Sequence, residues 1–374
     1  MNRHPKTYQT PRVIISGGGT GGHVFPAIAI GHAIRNKAPD AQVLFVGARG
    51  RMEMKKVPQA GFHIIGLDIM GLRRSLHWQN VLLPWKLLKS VSGAKQVVKR
   101  FRPDVVIGVG GYASGPLLWA ASRQKRPIVI QEQNSFPGLT NRILGKKAAM
   151  ICVAYEGMER YFPAGKIYLT GNPVRQEVVR IASKREEAMA FFGLDAHRPV
   201  LFVTGGSLGA RSINEAVKEN LPLLLEKGVQ LIWQSGTVYH EQARSFVSGL
   251  PGTSIYLQAF IDRMDLAYAA ADLVVSRAGA IAVSELCSIG KPAILVPSPN
   301  VAEDHQTRNA MALVNRHAAI LVKDAEAKEK LGSAVLSLMA DKEGMHRLKV
   351  NMADLSFDDA ADKIAGLALS LIRS

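Results

Sequence analysis

Three times in this chain a short apolar run ends at a cluster of glycines. Val13-Ile14-Ile15 meets Ser16-Gly17-Gly18-Gly19-Thr20-Gly21-Gly22-His23. Val105-Val106-Ile107 meets Gly108-Val109-Gly110-Gly111-Tyr112-Ala113-Ser114-Gly115-Pro116. Val200-Leu201-Phe202-Val203 meets Thr204-Gly205-Gly206-Ser207-Leu208-Gly209-Ala210-Arg211. Uninterrupted apolar runs of this length fit strands buried on both faces. After the first turn, Val24 to Lys37 reads as a helix, with Pro26 near its first position, where a missing N–H costs nothing. Strand, glycine turn, helix is the joint of a parallel α/β sheet. Glycine lets such a turn bend sharply and approach a ligand, and the helix start adds unpaired N–H groups and about half a positive charge. The combination suits a phosphate or another oxygen-rich anion. His23 is the odd member, because a plain phosphate cradle needs no imidazole.

The rest of the chain keeps the alternation. Strands are expected near Val13, Val43–Val46, His63–Ile65, Val105–Val109, Ile128–Ile130 and Ile151–Val153. A second series is expected near Val200–Thr204, Gln230–Trp233, Ser254–Leu257, Leu273–Val275 and Ala293–Val296. A length of 374 residues allows two domains at roughly 100–200 residues each. The turn Gly171-Asn172-Pro173 separates the two series, giving expected domains of residues 1–173 and 174–356. Both are expected to be Rossmann-like, doubly wound parallel sheets, and two such domains facing each other would form a cleft lined by the three turns. The last helix, about Asp358 to Arg373, is amphipathic and can pack on either domain. Cys152 and Cys287 lie in apolar contexts and are expected as reduced core residues. The polar start of the chain is no secretory segment, and no apolar run approaches the roughly 18 residues of a membrane span. A cytosolic or peripheral protein is expected.

Charge is divided unevenly. Residues 1–173 carry 25 Lys+Arg against 7 Asp+Glu, and residues 174–374 carry 22 against 23. A polyanion or an anionic membrane is therefore the expected partner of the first half. No acidic residue stands between Asp68 and Asp104, a stretch with Arg73, Arg74, Lys86, Lys89, Lys95, Lys99, Arg100 and Arg102. Trp78, Leu82, Leu83 and Trp85 are mixed into it, beside Lys86 and Lys89. These apolar residues cover too much of a helix circumference to fit one core face. Trp, Leu and Lys together describe an interfacial membrane patch; a core helix with a solvated basic edge is the plainer alternative. Nucleic acid is disfavoured, since neither a stacking platform nor a groove-reading helix is present.

Gly17-x-Gly19-x-x-Gly22 matches the dinucleotide fingerprint, but the second strand ends in Val46-Gly47-Ala48-Arg49, without the carboxylate that would hold a ribose. Only Arg49 supports an NADP reading. No lysine follows the glycines, against a P-loop. A better ribose site is Ser276-Arg277-Ala278-Gly279-Ala280-Ile281-Ala282-Val283-Ser284-Glu285, a strand end, a small-residue turn and a helix start. There Glu285 can accept two hydrogen bonds from a diol, or can be an ordinary acid near a helix start. Glu303-Asp304-His305-Gln306-Thr307-Arg308-Asn309 offers amides and imidazole suited to a hydroxyl-rich ligand, or to a helix cap. Asp304 and His305 are adjacent rather than spaced for a metal, so neither metal nor cofactor is expected.

Taken in order, Gly18-Gly19-Thr20-Gly21-Gly22-His23-Val24-Phe25-Pro26, Gly110 to Pro116, Glu132-Gln133-Asn134, Gly171-Asn172-Pro173-Val174-Arg175, Gly205-Gly206-Ser207-x-Gly209-Ala210-Arg211 and Ser284-Glu285 resemble the MurG family. These are the bacterial N-acetylglucosaminyltransferases that make lipid II. The resemblance spans nearly the whole chain and implies a GT-B fold whose final helix, 357–374, returns to the first domain. It implies UDP-N-acetylglucosamine on the second domain. Glu285 would hold the ribose, Ile261 would flank the uracil and bond it through its backbone, and Ala280, Ile281, Ala282, Val283 and Ser284 would present backbone to the diphosphate. Arg175 and Ser207 would contact the nucleotide sugar and Gln306 its hydroxyls. Thr20, Gly21, Gly22 and Asn134 would approach the sugar from the first domain. Lipid I would place its diphosphate at Gly18, Gly19, Gly110, Gly111, Tyr112 and Ser114, with its polyprenyl chain in the membrane under the Trp78–Val91 patch, at the cytoplasmic face of the inner membrane.

Two positions depart from the family. Gln131 stands where relatives often carry histidine, and Ala282 where they carry threonine. An α-linked donor and a β-1,4 product imply inversion in one displacement. Arg175, a helix start and backbone N–H groups would carry the leaving charge without a metal. His23 is the first candidate for the base and Glu132 the second. A sugar-nucleotide epimerase or another glycosyltransferase of the same fold is the nearer alternative, and an NADP oxidoreductase the more distant one.

Overall fold

Short parallel strands make up two sheets. In the first, β1 (Arg12–Ser16), β2 (Gln42–Ala48), β3 (His63–Leu67), β4 (Val105–Gly108), β5 (Ile128–Glu132), β6 (Met150–Val153) and β7 (Ile167–Leu169) lie in the order β3-β2-β1-β4-β5-β6-β7. In the second, β8 (Val200–Thr204), β9 (Gln230–Gln234), β10 (Ile255–Gln258), β11 (Leu273–Ser276), β12 (Ala293–Leu295) and β13 (Ile320–Leu321) lie in the order β10-β9-β8-β11-β12-β13. The computed structural model of the chain describes residues 10–69, 83–111, 113–206, 208–250, 254–301 and 304–372, with backbone alone for 83–88. The chain divides into two units, one of residues up to Pro173 and from Asp359 on, the other Val174–Asp358.

Each sheet is buried on both faces, and the two-residue period of a strand sorts its side chains. Val13 and Ile15 pack with Phe45, Val105 and Ile107 on one face; Ile14 packs with Val46, Val106, Ile128 and Ile130 on the other. In the second unit Val200, Phe202 and Val274 face one core, and Leu201, Val203 and Val275 the other. The helix Ala360–Ser370 lies in the first unit. Its Ile364, Ala365, Ala368 and Leu369 join the core that holds Val24, Ala27, Ile30 and Ile34 of the helix Gly21–Lys37. Burying Ile364 and Leu369 stabilises this packing by about 2 kcal/mol each. Cys152 and Cys287 are free and buried, and burial pushes both thiols up to about 12.

Two local readings need correction. The first helix begins at Gly21, not Val24, so Pro26 lies inside it. There Pro26 cannot donate to the carbonyl four residues back, that of Gly22. Strands β7 and β13 have no counterpart in the sequence reading. They are edge strands of 3 and 2 residues, β7 with Tyr168 and Leu169 exposed, although the apolar runs Ile167-Tyr168-Leu169 and Ala318-Ala319-Ile320-Leu321-Val322 mark both. Among the described residues, no helix is long and apolar enough to cross a membrane.

In each sheet the chain order reverses once, between β1 and β4 and between β8 and β11. Ligands of open α/β sheets bind beyond the strand carboxyl ends at such a reversal. All three glycine turns follow one of these four strands, and the Arg277-Ala278-Gly279 turn follows the fourth.

Candidate active site

In the first unit Thr20 precedes the helix Gly21–Lys37 with extended backbone. Its hydroxyl caps no helix N–H and instead lies 3.1 Å from His23 Nδ1. The helix has no acidic residue in its first turn, so its positive end is not neutralised locally. A residue absent from the sequence reading sets the shape of this turn. Glu53 is 0 % exposed and accepts from the N–H groups of Gly19 and Ala48, each at 3.0 Å. A Cβ on Gly18 would stand 2.2 Å from Glu53 Oε1, and one on Gly47 2.6 Å from its Cγ. Gly18 and Gly47 are therefore glycines because a carboxylate occupies the space. At Gly19, expected near an acceptor diphosphate, the N–H is held by Glu53.

The second turn packs onto the first. Gly110 and Gly111 have φ of +96° and +79°. A Cβ on Gly111 would lie 2.3 Å from Gly18 O, and one on Gly110 2.8 Å from His23 Cδ2. At both positions the missing side chain makes room for protein rather than for a ligand. Ser114 was also expected at the diphosphate. It is 0 % exposed and donates to Gly111 O at 2.9 Å, so its hydroxyl serves the turn.

Buried amides fix this turn from the other side. Gln133 Nε2 donates to Val109 O (2.9 Å) and Gln131 Oε1 (3.1 Å), Gln131 Nε2 to Asn172 Oδ1 (2.9 Å), and Asn172 Nδ2 to Gln133 O (3.0 Å). The set joins the end of β5, the second glycine turn and the Gly171-Asn172-Pro173 turn. Glu132, the second candidate base, anchors a loop. It is 3 % exposed and accepts from Asn134 N (3.0 Å), Asn134 Nδ2 (3.4 Å), Gly138 N (3.2 Å) and Asn141 Nδ2 (2.8 Å). Burial raises its carboxyl above the usual range while these bonds pull it back. A carboxylate so engaged holds Asn134 in place.

Beside the second turn stands the helix Leu139–Gly145, whose Thr140 Cγ2 would be 3.2 Å from a Cβ on Gly115. Its Leu139 and Ile143 are 70 % and 61 % exposed, one helical turn apart, next to Arg142, Lys146 and Lys147. Of the expected membrane patch, Trp78 and Leu82 lie outside the described residues, as do the side chains of Leu83, Trp85 and Lys86. Lys89 is exposed and pairs with Asp68 at 3.2 Å. Arg49 pairs with the same carboxylate at 2.9 Å and donates to Gly66 O, which removes the one support for NADP.

In the second unit the turn after β8 packs against the turn after β9. A Cβ on Gly209 would lie 2.2 Å from Ser235 O, and one on Gly236 2.2 Å from Gly209 N. Gly206 (φ +83°) and Gly279 would meet nothing within 4 Å. Gln234, 3 % exposed, ties the turn together: Nε2 donates to Thr204 Oγ1 (3.0 Å) and Gly206 O (3.1 Å), and Oε1 accepts from Ile261 N (2.9 Å). Of the Ile261 backbone, the N–H is thereby spoken for. The Ile261 side chain is 4 % exposed in the core, while its neighbour Phe260 is 45 % exposed.

The turn after β11 is held by Arg277. The guanidinium donates to Val296 O (3.0 Å), Pro297 O (3.2 Å) and Ser212 Oγ (3.0 Å), and pairs with Asp324. The helix Ala280–Ile289 then starts with neither a side-chain cap nor a first-turn acid. Val283 N already donates to Gly279 O at 2.9 Å. Donors toward a diphosphate are therefore the N–H groups of Ala280, Ile281 and Ala282; Val283 and Ser284 spend theirs within the helix. The hydroxyl of Ser284 donates to Ala280 O at 3.0 Å. Glu285, 3 % exposed, accepts from Arg175 Nε at 2.8 Å and Tyr268 OH at 3.3 Å. Burial, reinforced by the Glu285 charge, keeps the Tyr268 phenol well above its usual value, so it remains a donor. Gln306 accepts from Ser298 N at 2.9 Å. Tyr112 and Ser207 lie outside the described residues. Among the described residues, no three His, Cys, Asp or Glu side chains are grouped as metal ligands.

Residues 13–153 match the glycosyltransferase family 28 N-terminal domain, and residues 200–364 the family 28 C-terminal domain. A protein of Parabacteroides distasonis is 50% identical over 96% of this chain and 98% of its own length. One from Bacteroides fragilis is 52% identical over 96% and 95%. Both are named UDP-N-acetylglucosamine–N-acetylmuramyl-(pentapeptide) pyrophosphoryl-undecaprenol N-acetylglucosamine transferase. Among solved structures, MurG of Acinetobacter baumannii matches with a TM-score of 0.76 at 28% identity, over 96% of this chain and 99% of that one. A UDP-GlcNAc 2-epimerase of Neisseria meningitidis shares the fold alone, with a TM-score of 0.69 at 15% identity over 96% and 100%. With both domains of family 28 matched and half of the residues identical over nearly the full length, the chain belongs to glycosyltransferase family 28, among the MurG transferases.

Proposed function

We propose that the chain transfers N-acetylglucosamine from UDP-N-acetylglucosamine to the C4 hydroxyl of the muramyl unit of lipid I, forming lipid II for peptidoglycan synthesis. The observation that carries this is the uncapped helix start at Ala280, five residues before Glu285 and its partner Arg175. The diphosphate of UDP would lie on the N–H groups of Ala280 to Ala282 and against Arg175. Glu285 has oxygens for the ribose diol, with Arg175 and Tyr268 fixing their direction. Phe260, rather than Ile261, would offer its face to the uracil. Since the Gln306 oxygen is engaged, a sugar hydroxyl would meet its Nε2.

The first unit would receive the acceptor. In the tautomer whose Nδ1–H donates to Thr20 Oγ1, His23 Nε2 is the nitrogen that can take the proton of the attacking hydroxyl. The departing UDP would be stabilised by the helix start and Arg175, an electrostatic solution without a metal or cofactor, in an inverting displacement. Leu139 and Ile143, exposed beside the second glycine turn among Arg142, Lys146 and Lys147, support a peripheral seat on an anionic membrane, the cytoplasmic face of the inner membrane. Nucleic acid is no partner in this reading. Incubating the protein with UDP-N-acetylglucosamine and a lipid I analogue should release UDP only when both are present. Release that ignores the analogue, or no release, contradicts the proposal.

A further inference from the structure

At the opposite end of the first sheet, where β1 and β5 begin, lies an open cavity of about 880 Å³. Arg12, Lys99, Arg100, Arg102, Gln124 and Arg126 line it. β1 spans five residues, so roughly 15 Å of strand separates this cavity from the glycine turns. It is therefore no part of the site described above.

Five cations converge here without a carboxylate. Among the described residues, none of the five makes an ion pair within 4.0 Å. The nearby acid, Asp104, accepts from the backbone N–H of Arg12 at 2.8 Å. Part of the charge has an ordinary explanation, because Lys99 and Arg100 end the helix Leu83–Phe101, and Arg123 ends the neighbouring helix Ser114–Arg123. Each helix end supplies about half a negative charge, so two ends and Asp104 offset about two of the five. An excess of about three positive charges remains.

A second observation points to a ligand. Arg12 Nε is buried and has no hydrogen-bond partner, while the guanidinium stacks on Phe101 with Cζ 4.9 Å from the ring centroid. The Nε is closed off from the cavity, so an anion there would meet the terminal guanidinium nitrogens, which arginine presents as a fork. We infer that this cavity binds a phosphate-bearing anion of two or more charges, either a diphosphate free in solution or the headgroup of an acidic phospholipid.

The test uses the full chain and two probes. Inorganic pyrophosphate is titrated calorimetrically, and vesicles of phosphatidylcholine with phosphatidylglycerol are used in co-sedimentation. An Arg100→Ser/Arg126→Ser variant is compared with wild type and with a charge-matched Lys227→Ser/Lys342→Ser control in the second unit. Arg12→Gln is a further single variant, and melting temperatures report whether each folds. At roughly fivefold per charge, the double variant should bind about thirtyfold more weakly while the control is unchanged. Loss toward both probes supports a pocket open to either source. Loss toward pyrophosphate alone assigns the free anion, and loss toward vesicles alone assigns the lipid headgroup. If wild type binds neither probe, or if the double variant and the control bind both probes alike, the inference is overturned.

Discussion

The two units share a sheet plan and use their reversal points differently. In the first, the turns after β1 and β4 touch, with Gly111 against Gly18 O and Gly110 against His23. In the second, the equivalent glycine contact has moved sideways, to the turns after β8 and β9, where Gly209 meets Ser235 and Gly236. The space between β8 and β11 is left to Gly206 and Gly279, which face nothing within 4 Å. One reversal point is thus filled by its own backbone and presents side chains, Thr20 and His23. The other is open at Gly206 and Gly279; the helix starts at Gly21 and Ala280 are alike in having neither a side-chain cap nor a first-turn acid. The same topology gives a chemical surface in one unit and an anion seat in the other.

The largest test of this contrast is Arg175→Ala. It would leave Glu285 buried without its cation, at a cost of about 4 kcal/mol, read as a lowered melting temperature together with loss of UDP affinity. Glycine-to-alanine pairs come next. Gly111→Ala and Gly209→Ala add both a left-handed strain and a backbone collision, and should cost about 3 kcal/mol each. Gly19→Ala and Gly206→Ala add the strain alone, about 1 kcal/mol each by denaturant unfolding. Equal costs for the two pairs would remove the distinction between filled and open positions.

Much of this was legible before the fold was known, for a physical reason. A strand buried on both faces must be a continuous apolar run, and its exit to a helix at a reversal point needs glycine. Both signals are local. The residues that shape the turns are distant from them in sequence. Glu53 reads as an ordinary first-turn acid of the helix Glu53–Gln59, and no periodicity ties it to Gly19. Arg175 and Glu285 each stand out by resemblance, yet 110 residues separate them and nothing in either segment announces the pair. Gln234 closes β9 as an unremarked polar residue, although it decides that the Ile261 N–H is engaged. Gly110 and Gly111 were legible as glycines, but not that protein would fill the space they leave.

An effect between those of the two glycine pairs is expected from Glu53→Gln. The amide can accept one of the two N–H groups and must set its own NH₂ against the other, costing about 2 kcal/mol. The KM for the lipid I analogue should rise while UDP affinity stays at the wild-type value, since the change is confined to the first unit. A further effect concerns pH. Burial lowers the Lys291 ammonium to about 8 in the folded second unit, from an ordinary 10.5. The unfolded chain therefore binds more protons between these values, and stability should rise as pH increases from about 8 to 10.5. Lys291→Met should flatten that rise in a thermal melt.

The central claim is that the open reversal point of the second unit, not the filled one of the first, seats the nucleotide. Backbone hydrogen exchange of the full chain with and without UDP tests it directly. Protection is predicted at Ala280 to Ala282 and at the Gly205–Ala210 turn, with Gly17 to His23 unchanged. Protection of Gly17 to His23 with none at Ala280 to Ala282 would contradict the account.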